Sequence, residues 1–407
     1  MTRHAQWQPL LPASRRDEAL AVVQEIAEGL RYRCLDPSSP PTLSADDPWI
    51  ALFFRYLSRC HADPVHEQVV DELVERAITT LSESPLSRRL YDGFVGIAWL
   101  LAHLYRDLTD DTFEAVDQAL FTLLTDDTDM VEFEYLTGLA GHGAYLLERQ
   151  ETARVRELLE LVVDRLDESA QPLLGGRAWL LPAESLPPEP RAQTPNGRYQ
   201  LGVAHGLAGA VGFLARCRVR GIRADKARAL LGEVVHTLRR CADMRPGALR
   251  FSRWWTPAGT EGDHTLRWCW GDLGIATVLL HASAGADDTA LGDYALELAR
   301  VAARCPFEDS GVIDACLCHG STGNGLMFHR LYQMSDEPAF APVAASWYER
   351  ALEQRQPGQG LAGYVDVGRN GIDNASFLQG VAGIGLGLLA AATADEPVWD
   401  RLLLLSG

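Results

Sequence analysis

Two short segments contain the residues of this chain best suited to bind a metal ion. Residues 268–271 read Trp-Cys-Trp-Gly, and residues 318–320 read Cys-His-Gly. The two thiolates of Cys269 and Cys318 and the imidazole of His319 suit zinc and leave its fourth tetrahedral position open. Zinc fingers instead space their cysteines closely in pairs, whereas Cys269 stands alone. The pattern therefore favours an open zinc site that acts on a sulfur-containing substrate.

The second thiol of this site is ambiguous in the sequence. Residues 316–319 read Cys-Leu-Cys-His, so spacing alone does not decide whether Cys316 or Cys318 joins His319. Each cysteine taken singly is more typical of a small buried apolar residue. The two motifs taken together, with their flanking glycines, favour metal binding.

Composition limits the classes of partner and the compartment. The chain has 407 residues, 47% of them hydrophobic, and a formal net charge of −18. That charge repels nucleic acid and anionic lipid. The N-terminus lacks a signal-peptide apolar stretch, and no apolar run approaches the roughly 20 residues that span a bilayer. The eight cysteines show no compact disulfide framework. These features predict a cytoplasmic protein with no integral membrane segment and no nucleic-acid partner.

The sequence repeats Gly-x-x-Gly followed by an apolar run six times, with first glycines at 93, 138, 206, 271, 320 and 380. Each run predicts a buried inner helix, and such repetition is a signal of the whole fold. Apolar residues at three- and four-residue steps predict amphipathic partner helices over 17–30, 66–81, 112–124, 153–167, 224–241, 293–305 and 342–354. Six such hairpins predict an all-α protein, an (α/α)6 toroid.

Two intervals between the repeats are longer than a helical hairpin needs. Residues 172–199 include a proline-rich stretch, and residues 245–266 include the aromatic segment 251–255. Both lack helical periodicity, which predicts loops or short strands. We expect one catalytic domain over 1–407, in which these two insertions are candidates for substrate contact.

The ordered motifs resemble those of the lanthipeptide (lantibiotic) cyclases of the LanC type. The resemblance rests on the six repeats, on both cysteine motifs and on Ala-His-Gly-x-x-Gly at 204–209, and it extends from about the first repeat to the last. It implies a zinc-dependent toroidal enzyme that adds cysteine thiols to dehydroalanine or dehydrobutyrine in a dehydrated precursor peptide. The products are lanthionine and methyllanthionine rings. The resemblance also implies that the two insertions form a small β-containing accessory subdomain, and that the enzyme forms complexes with a dehydratase and an export transporter.

The resemblance also implies roles for particular residues. Cys269, Cys318 and His319 would be the zinc ligands, and His205 would be the catalytic histidine. An imidazole can both accept and donate a proton, so His205 could accept the thiol proton or protonate the enolate carbon. Taken alone, a histidine beside an apolar helix is more often structural, so its catalytic role depends on the resemblance.

Three positions depart from the family pattern. Glu134 occupies the place of an aspartate and is one methylene longer. Thr265 occupies the place of an arginine four residues before the zinc cysteine, and Arg267 is the nearest arginine that could compensate. Trp270 replaces a tyrosine and can donate a hydrogen bond but cannot act as an acid near neutral pH. Glu134, Arg267 and Trp270 are therefore catalytic candidates whose roles the motif does not define.

Two other functions are compatible with parts of the pattern. A zinc-dependent thiol alkyltransferase of the prenyltransferase type also uses an α/α barrel, but it normally has a carboxylate zinc ligand and a partner subunit. A peptide- or thiol-binding protein could keep the cyclase fold without the activity. The three departures keep that second alternative open.

Overall fold

The computed structural model describes residues 6–35, 47–83, 85–126, 132–243, 245, 247–261, 263–286, 288–335, 337–367 and 373–407. The chain divides into two compact units. Unit 1 comprises Met1–Ser87, Tyr91–Leu104 and Val312–Arg401. Unit 2 comprises Arg88–Leu90, Tyr105–Gly311 and Leu402–Gly407. The prediction of one catalytic domain over 1–407 stays a prediction.

The described residues are mainly helical. In chain order the helices are α1 (Ala13–Leu35), α2 (Asp47–Cys60), α3 (Pro64–Glu83), α4 (Phe94–Leu104), α5 (Asp110–Thr125), α6 (Leu139–Glu148), α7 (Ala153–Ser169), α8 (Pro188–Gln193), α9 (Leu207–Val219), α10 (Ala224–Arg240), α11 (Asp272–Ala286), α12 (Thr289–Ala303), α13 (Ser321–Met334), α14 (Phe340–Glu353) and α15 (Val381–Ala392). The strands are β1 (Gln171–Leu173), β2 (Gly176–Ala178), β3 (Tyr199–Gln200), β4 (Trp254–Thr256) and β5 (Gly259–Glu261).

All six predicted inner helices are present. Helices α4, α6, α9, α11, α13 and α15 each begin directly after the first glycine of a repeat. Within unit 1, α13 packs on α14 and α15 packs on α1. Within unit 2, α6 packs on α7, α9 on α10 and α11 on α12. The sequence prediction missed helix α2 and the short helix α8.

The outer helices bury one apolar side, as their periodicity predicts. Helix α7 buries Val155 together with the predicted set Leu158, Leu159, Val162, Val163 and Leu166. Its N-terminus is capped by Thr152, whose side chain accepts a hydrogen bond from the backbone N–H of Val155 at 3.3 Å.

The second glycine of a repeat packs against a backbone carbonyl that precedes the helix. A Cβ added at Gly141 would collide with the carbonyl oxygen of Tyr135, and one at Gly209 with that of Val203. The same collision would occur at three further repeats, between Gly274 and Trp268, Gly323 and Leu317, and Gly383 and Phe377. Glycine is required here because any side chain would push the helix away from the loop that leads into it.

Backbone hydrogen bonds join the loops that precede neighbouring inner helices. In unit 2, the N–H of Leu136 donates to the carbonyl of Ala204 at 3.2 Å, and the N–H of Ala204 donates to that of Cys269 at 3.1 Å. In unit 1, the N–H of Cys318 donates to the carbonyl of Leu378 at 2.8 Å. Each of these residues stands two positions before the first glycine of its repeat, so the repeats place equivalent residues side by side.

The described strands lie in the two insertions or at their edges. Strands β1 and β2 form an antiparallel hairpin, and β3, β4 and β5 form an antiparallel sheet in that order. The register pairs Tyr199 with Trp255 and Trp254 with Glu261. Positions 246 and 262 of the second insertion lie outside the described residues. The β3–β4–β5 sheet therefore unites residues of both insertions within unit 2.

A buried aspartate ties the second insertion to an inner helix. Asp272, the first residue of α11, is fully buried and accepts hydrogen bonds from the backbone N–H groups of Arg250 and Phe251 at 2.8–3.0 Å. Burial raises the pKa of Asp272 to about 7, although these hydrogen bonds oppose the shift.

Among the described residues, no helix is both long enough and apolar enough to cross a lipid bilayer.

Substitution of Gly209 by alanine should destabilise the protein by about 1–3 kcal/mol, because the new methyl group overlaps the carbonyl oxygen of Val203. Gly232, inside α10, is the matched control, since nothing lies within 4 Å of a Cβ placed there. Gly232→Ala should stabilise the helix by up to about 1 kcal/mol. Urea denaturation followed by circular dichroism compares the two, and equal midpoints would contradict the packing argument.

Asp272 should make stability fall as pH rises. Its folded-state pKa of about 7 lies above the usual ~3.9 of an unfolded chain, so the folded protein keeps a proton that the unfolded chain has lost. The resulting stabilisation is complete below about pH 4 and is lost as the pH rises through about 7. Relative to Asp272→Asn, the wild type should therefore lose unfolding free energy between those two pH values. Asp225→Asn, at an exposed site, is the control. If the unfolding free energies of the wild type and of Asp272→Asn change in parallel with pH, the effect is excluded.

Candidate active site

A histidine and a glutamate form a hydrogen-bonded pair in unit 2. The Nδ1 atom of His205 lies 2.8 Å from Oε2 of Glu134. The His205 side chain is 41% exposed, whereas that of Glu134 is 7% exposed. Because a carboxylate accepts hydrogen bonds, Nδ1 of His205 is the donor, and Nε2 is left available toward solvent or substrate. The pair therefore has the geometry of an oriented acid–base group.

The carboxylate of Glu134 is fixed by its own loop. Oε2 accepts a hydrogen bond from the backbone N–H of Leu136 at 3.0 Å, and Oε1 accepts hydrogen bonds from the backbone N–H and the hydroxyl of Thr137. The longer glutamate side chain thus reaches His205, while its carboxylate also accepts hydrogen bonds from Leu136 and Thr137 of its own loop. The extra methylene that distinguishes it from an aspartate does not prevent this contact.

The loop that carries His205 lies against the loop that carries Cys269. The N–H of Ala204, directly before His205, donates to the carbonyl of Cys269. A Cβ at Gly202 would collide with that carbonyl and with the backbone of Trp270. Cys269 is partly exposed. Unit 2 therefore brings the histidine–glutamate pair and the first cysteine motif onto adjacent loops.

Arg267 and Trp270 lie in contact with each other. The guanidinium of Arg267 stacks over the Trp270 ring at 4.7 Å, and its Nη2 donates to the carbonyl of Gly311 at 2.8 Å. Both side chains are partly exposed. Thr265 is 3% exposed, and its hydroxyl has no hydrogen-bond partner among the described residues. The loop of Cys269 thus carries a partly exposed arginine at 267, whereas the residue at 265 is a buried threonine.

The second motif lies in the loop that leads into α13 in unit 1. Cys318 is 7% exposed, and His319 is partly exposed. The Nε2 atom of His319 lies 3.3 Å from Oδ2 of Asp314. Oδ1 of Asp314 accepts a hydrogen bond from the backbone N–H of Cys316 at 3.1 Å, and its carbonyl accepts one from that of Ser321 at 2.9 Å. Asp314 therefore orients the imidazole and shapes the loop.

Electrostatics favour the ionised form of Asp314. Burial by itself would raise the pKa of this carboxyl group, but hydrogen bonding and charge interaction with His319, together with hydrogen bonding from Cys316, hold the pKa below its usual value. A carboxylate beside the outer nitrogen of a histidine is the usual way to orient a metal-binding imidazole.

Cys316 lies deeper than its neighbours. Its side chain is buried, and burial raises the pKa of its thiol to about 11. Its Sγ accepts a hydrogen bond from the backbone N–H of His319 at 3.4 Å. The ligand atoms of Asp314, Cys316 and His319 lie within 4.8 Å of one another, so unit 1 by itself holds a second possible set of ligands.

Asp314 is a site residue that the sequence motifs did not predict. An aspartate two positions before Cys316 was the available sequence signal. Such a side chain can accept a hydrogen bond from the backbone N–H two residues later and so form a turn. The predicted grouping of Cys269 with Cys318 and His319 joins residues of two separate units and stays a prediction.

Comparison with known proteins identifies the family. Residues 38–404 match the model of the family described as lanthionine synthetase C-like protein. A curated relative, the nisin biosynthesis protein NisC of Lactococcus lactis subsp. lactis, is 21% identical over 302 residues, which cover 69% of this chain and 71% of that protein.

A solved structure shows the same fold. The structure named nisin cyclase superposes with a TM-score of 0.79 and 20% sequence identity, and the match covers 96% of this chain and 98% of that one. This likeness confirms the all-α toroid fold class predicted from the glycine repeats. Since the family model spans most of its length, the chain belongs to the lanthionine synthetase C-like family.

Proposed function

We propose that this protein is a lanthionine-forming cyclase acting on a dehydrated peptide. The observation that carries the proposal is the His205–Glu134 pair on a loop hydrogen-bonded to the loop of Cys269. An oriented base beside a thiol-binding loop is what the addition of a thiol to an alkene requires. Family membership supports the same reaction.

The reaction balances without a leaving group. The substrate cysteine loses its thiol proton, its sulfur forms a bond to the β-carbon of dehydroalanine or dehydrobutyrine, and the resulting enolate gains a proton at the α-carbon. Nε2 of His205 would accept the first proton or deliver the second. Glu134 would act as a positioning residue, since its carboxylate holds Nδ1 of the same ring.

Cys269, Cys318 and His319 are the proposed ligands of one zinc ion. The donor set fits zinc, and the carboxylate of Asp314 beside Nε2 of His319 supplies the outer hydrogen bond that zinc-binding histidines usually have. When bound, zinc would lower the pKa of a substrate thiol, which in free cysteine lies near ~8.5.

Arg267 and Trp270 are proposed to contact the reacting part of the peptide. Arg267 could stabilise negative charge on the substrate carbonyl oxygen, since its Nε has no hydrogen-bond partner among the described residues. Trp270 could donate a hydrogen bond from its indole. Both lie beside the loop of Cys269, although neither side chain has an acid–base role near neutral pH.

The wider setting follows from the chemistry of the substrate. A dehydratase must supply the alkenes from serine and threonine, and the thiols must remain reduced, which suits the cytoplasm. We also propose that the strands of 172–199 and 245–266 form an accessory subdomain of a single catalytic domain, which contacts the peptide.

The purified protein should convert a dehydrated peptide with one cysteine into its thioether isomer. Ring formation leaves the mass unchanged, so it is measured as loss of reactivity toward a thiol-alkylating reagent. His205→Asn should lower the rate by about 10²–10⁴-fold, because it removes the acid–base group. Glu134→Gln should lower kcat less and change the pH profile of kcat, since it alters only the partner of Nδ1.

Glu157→Gln is the matched control, because Glu157 is an exposed carboxylate paired with Arg154 on α7. It should react at the wild-type rate. A wild type that binds zinc but shows no conversion of the peptide would instead indicate a peptide- or thiol-binding protein. An undiminished rate in His205→Asn would remove that residue from the mechanism.

Zinc content distinguishes the two possible ligand sets. Freshly purified wild type should contain one zinc per chain, Cys269→Ala and Cys318→Ala should lose it, and Cys316→Ala should retain it. Asp314→Asn should retain zinc with about 10–100-fold weaker affinity, because its outer hydrogen bond to the histidine is weakened. Metal analysis and competition with a chelator measure these effects.

Cys316→Ala is the matched control for Cys318→Ala, because both variants remove a cysteine thiol from the same loop. Loss of zinc from Cys316→Ala with retention in Cys318→Ala would assign the metal to the set within unit 1. Absence of zinc from the freshly purified wild type would remove the metal from the proposal altogether.

A further inference from the structure

Three arginines and two tryptophans form a continuous stack in unit 2. The guanidinium of Arg198 lies 4.2 Å from the Trp254 ring, and that of Arg253 lies 5.6 Å from the same ring and 5.8 Å from Trp270. Arg267 covers Trp270 at 4.7 Å. This arginine–tryptophan stack therefore runs from the β3–β4–β5 sheet to the loop of Cys269.

The cations of the stack have no carboxylate partner in the part of the chain that the structure describes. Among the described residues, none of Arg198, Arg253 and Arg267 forms an ion pair, whereas Arg177 and Arg250 of the same unit pair with glutamates. Burial and the nearby charge of Arg253 lower the pKa of Arg198. Neighbouring like charges repel each other, so an anion bound close to both guanidinium groups would be stabilised.

Arg198 also has unused hydrogen-bonding groups. It is 5% exposed, and its Nε and Nη1 are buried without a hydrogen-bond partner among the described residues. Nε of Arg253 is in the same state. A buried N–H group without a hydrogen-bond acceptor costs free energy. This indicates that a ligand supplies the missing acceptors. Trp254 and Arg253 are partly exposed, so a ligand can reach the stack from solvent.

The geometry of the guanidinium group points to a carboxylate. Stacking on an aromatic ring covers the face of a guanidinium and leaves its planar edge for paired hydrogen bonds, which match the two oxygens of a carboxylate. We propose that Arg198 and Arg253, stacked on Trp254, bind a carboxylate group of the peptide substrate. The stack would then position the peptide along the path to Cys269.

This assignment rests on the proposed function, because it assumes a peptide substrate that extends from the β3–β4–β5 sheet to the loop of Cys269. The site is a local exception to the net charge of −18. Long-range attraction therefore does not bring an acidic group to it, and recognition depends on close hydrogen bonds. The carboxylate can belong to an acidic side chain or to the peptide C-terminus, and the two sources are separable by experiment.

Binding can be measured without catalysis. The probe is a short fluorescein-labelled peptide of glycine, alanine and glutamate, which has no cysteine, serine or threonine. It is compared with the same peptide carrying glutamine and with a C-terminal amide form, by fluorescence anisotropy at low ionic strength. The glutamate peptide should bind at least about tenfold more tightly than the glutamine peptide, the value of a charged hydrogen bond.

That preference should disappear in Arg253→Gln and in Arg198→Gln, and it should decrease in Arg198→Lys, which keeps the charge but loses the planar edge. Circular dichroism confirms that each variant is folded, and Arg253→Gln, at a partly exposed site, tests the proposal if Arg198→Gln does not fold. Arg154→Gln is the matched control, because Arg154 stacks over Phe121 at 4.4 Å but already pairs with Glu157.

The outcomes separate this proposal from the proposed function. Loss of binding on amidation, rather than on replacement of glutamate, assigns the site to the peptide C-terminus and still supports a carboxylate. Equal binding of all three peptides by the wild type overturns the inference even if the dehydrated peptide is cyclised. A glutamate preference without any cyclisation keeps the carboxylate site and overturns the proposed reaction.

Discussion

The contact between a glycine and a backbone carbonyl is the constraint on which the rest of the structure depends. At five repeats the second glycine meets the carbonyl that lies six residues earlier, so each loop must fold tightly onto the start of its inner helix. This close approach holds the residue two positions before the first glycine in register with its neighbours. Cys269, Cys318 and the residue next to His205 all depend on that register. A side chain at such a glycine would disturb the core and the site together.

Three buried carboxyl groups further fix the loops and helix ends at the repeats. Glu134, Asp272 and Asp314 each lie next to a repeat and accept backbone N–H groups. Glu134 orients the imidazole of His205, and Asp314 orients that of His319. Asp272 holds the backbone of the second insertion. A carboxyl group suits this task because its two oxygens offer several acceptor positions, so it can fix a loop and still hold a partner.

The arrangement of charge differs between the whole chain and the site. The chain has a net charge of −18, yet the arginine–tryptophan stack gathers three cations beside the loop of Cys269. Stacking makes this possible, since aromatic faces partly replace water around the guanidinium groups. An acidic chain can therefore still contain a local cluster of cations. Asp272 contributes indirectly, because it anchors the segment that carries Arg253 and Trp254.

By itself the sequence determined the helical class, the starts of the inner helices and the identity of the main chemical groups, because glycine spacing and apolar periodicity are local properties. It also pointed to His205 and to Glu134, but as separate motifs whose contact could not be read from spacing. Only the tertiary structure decided that they form a pair, that Asp314 supports His319, and that Arg198, Arg253 and Arg267 pack on two tryptophan rings. The His205–Glu134 pair and the Arg198–Trp254 contact join residues far apart in the chain, and they depend on which loops the packing of the helices places side by side. The Asp314–His319 contact lies within one loop, but it depends on the backbone conformation of that loop, which the sequence pattern does not define.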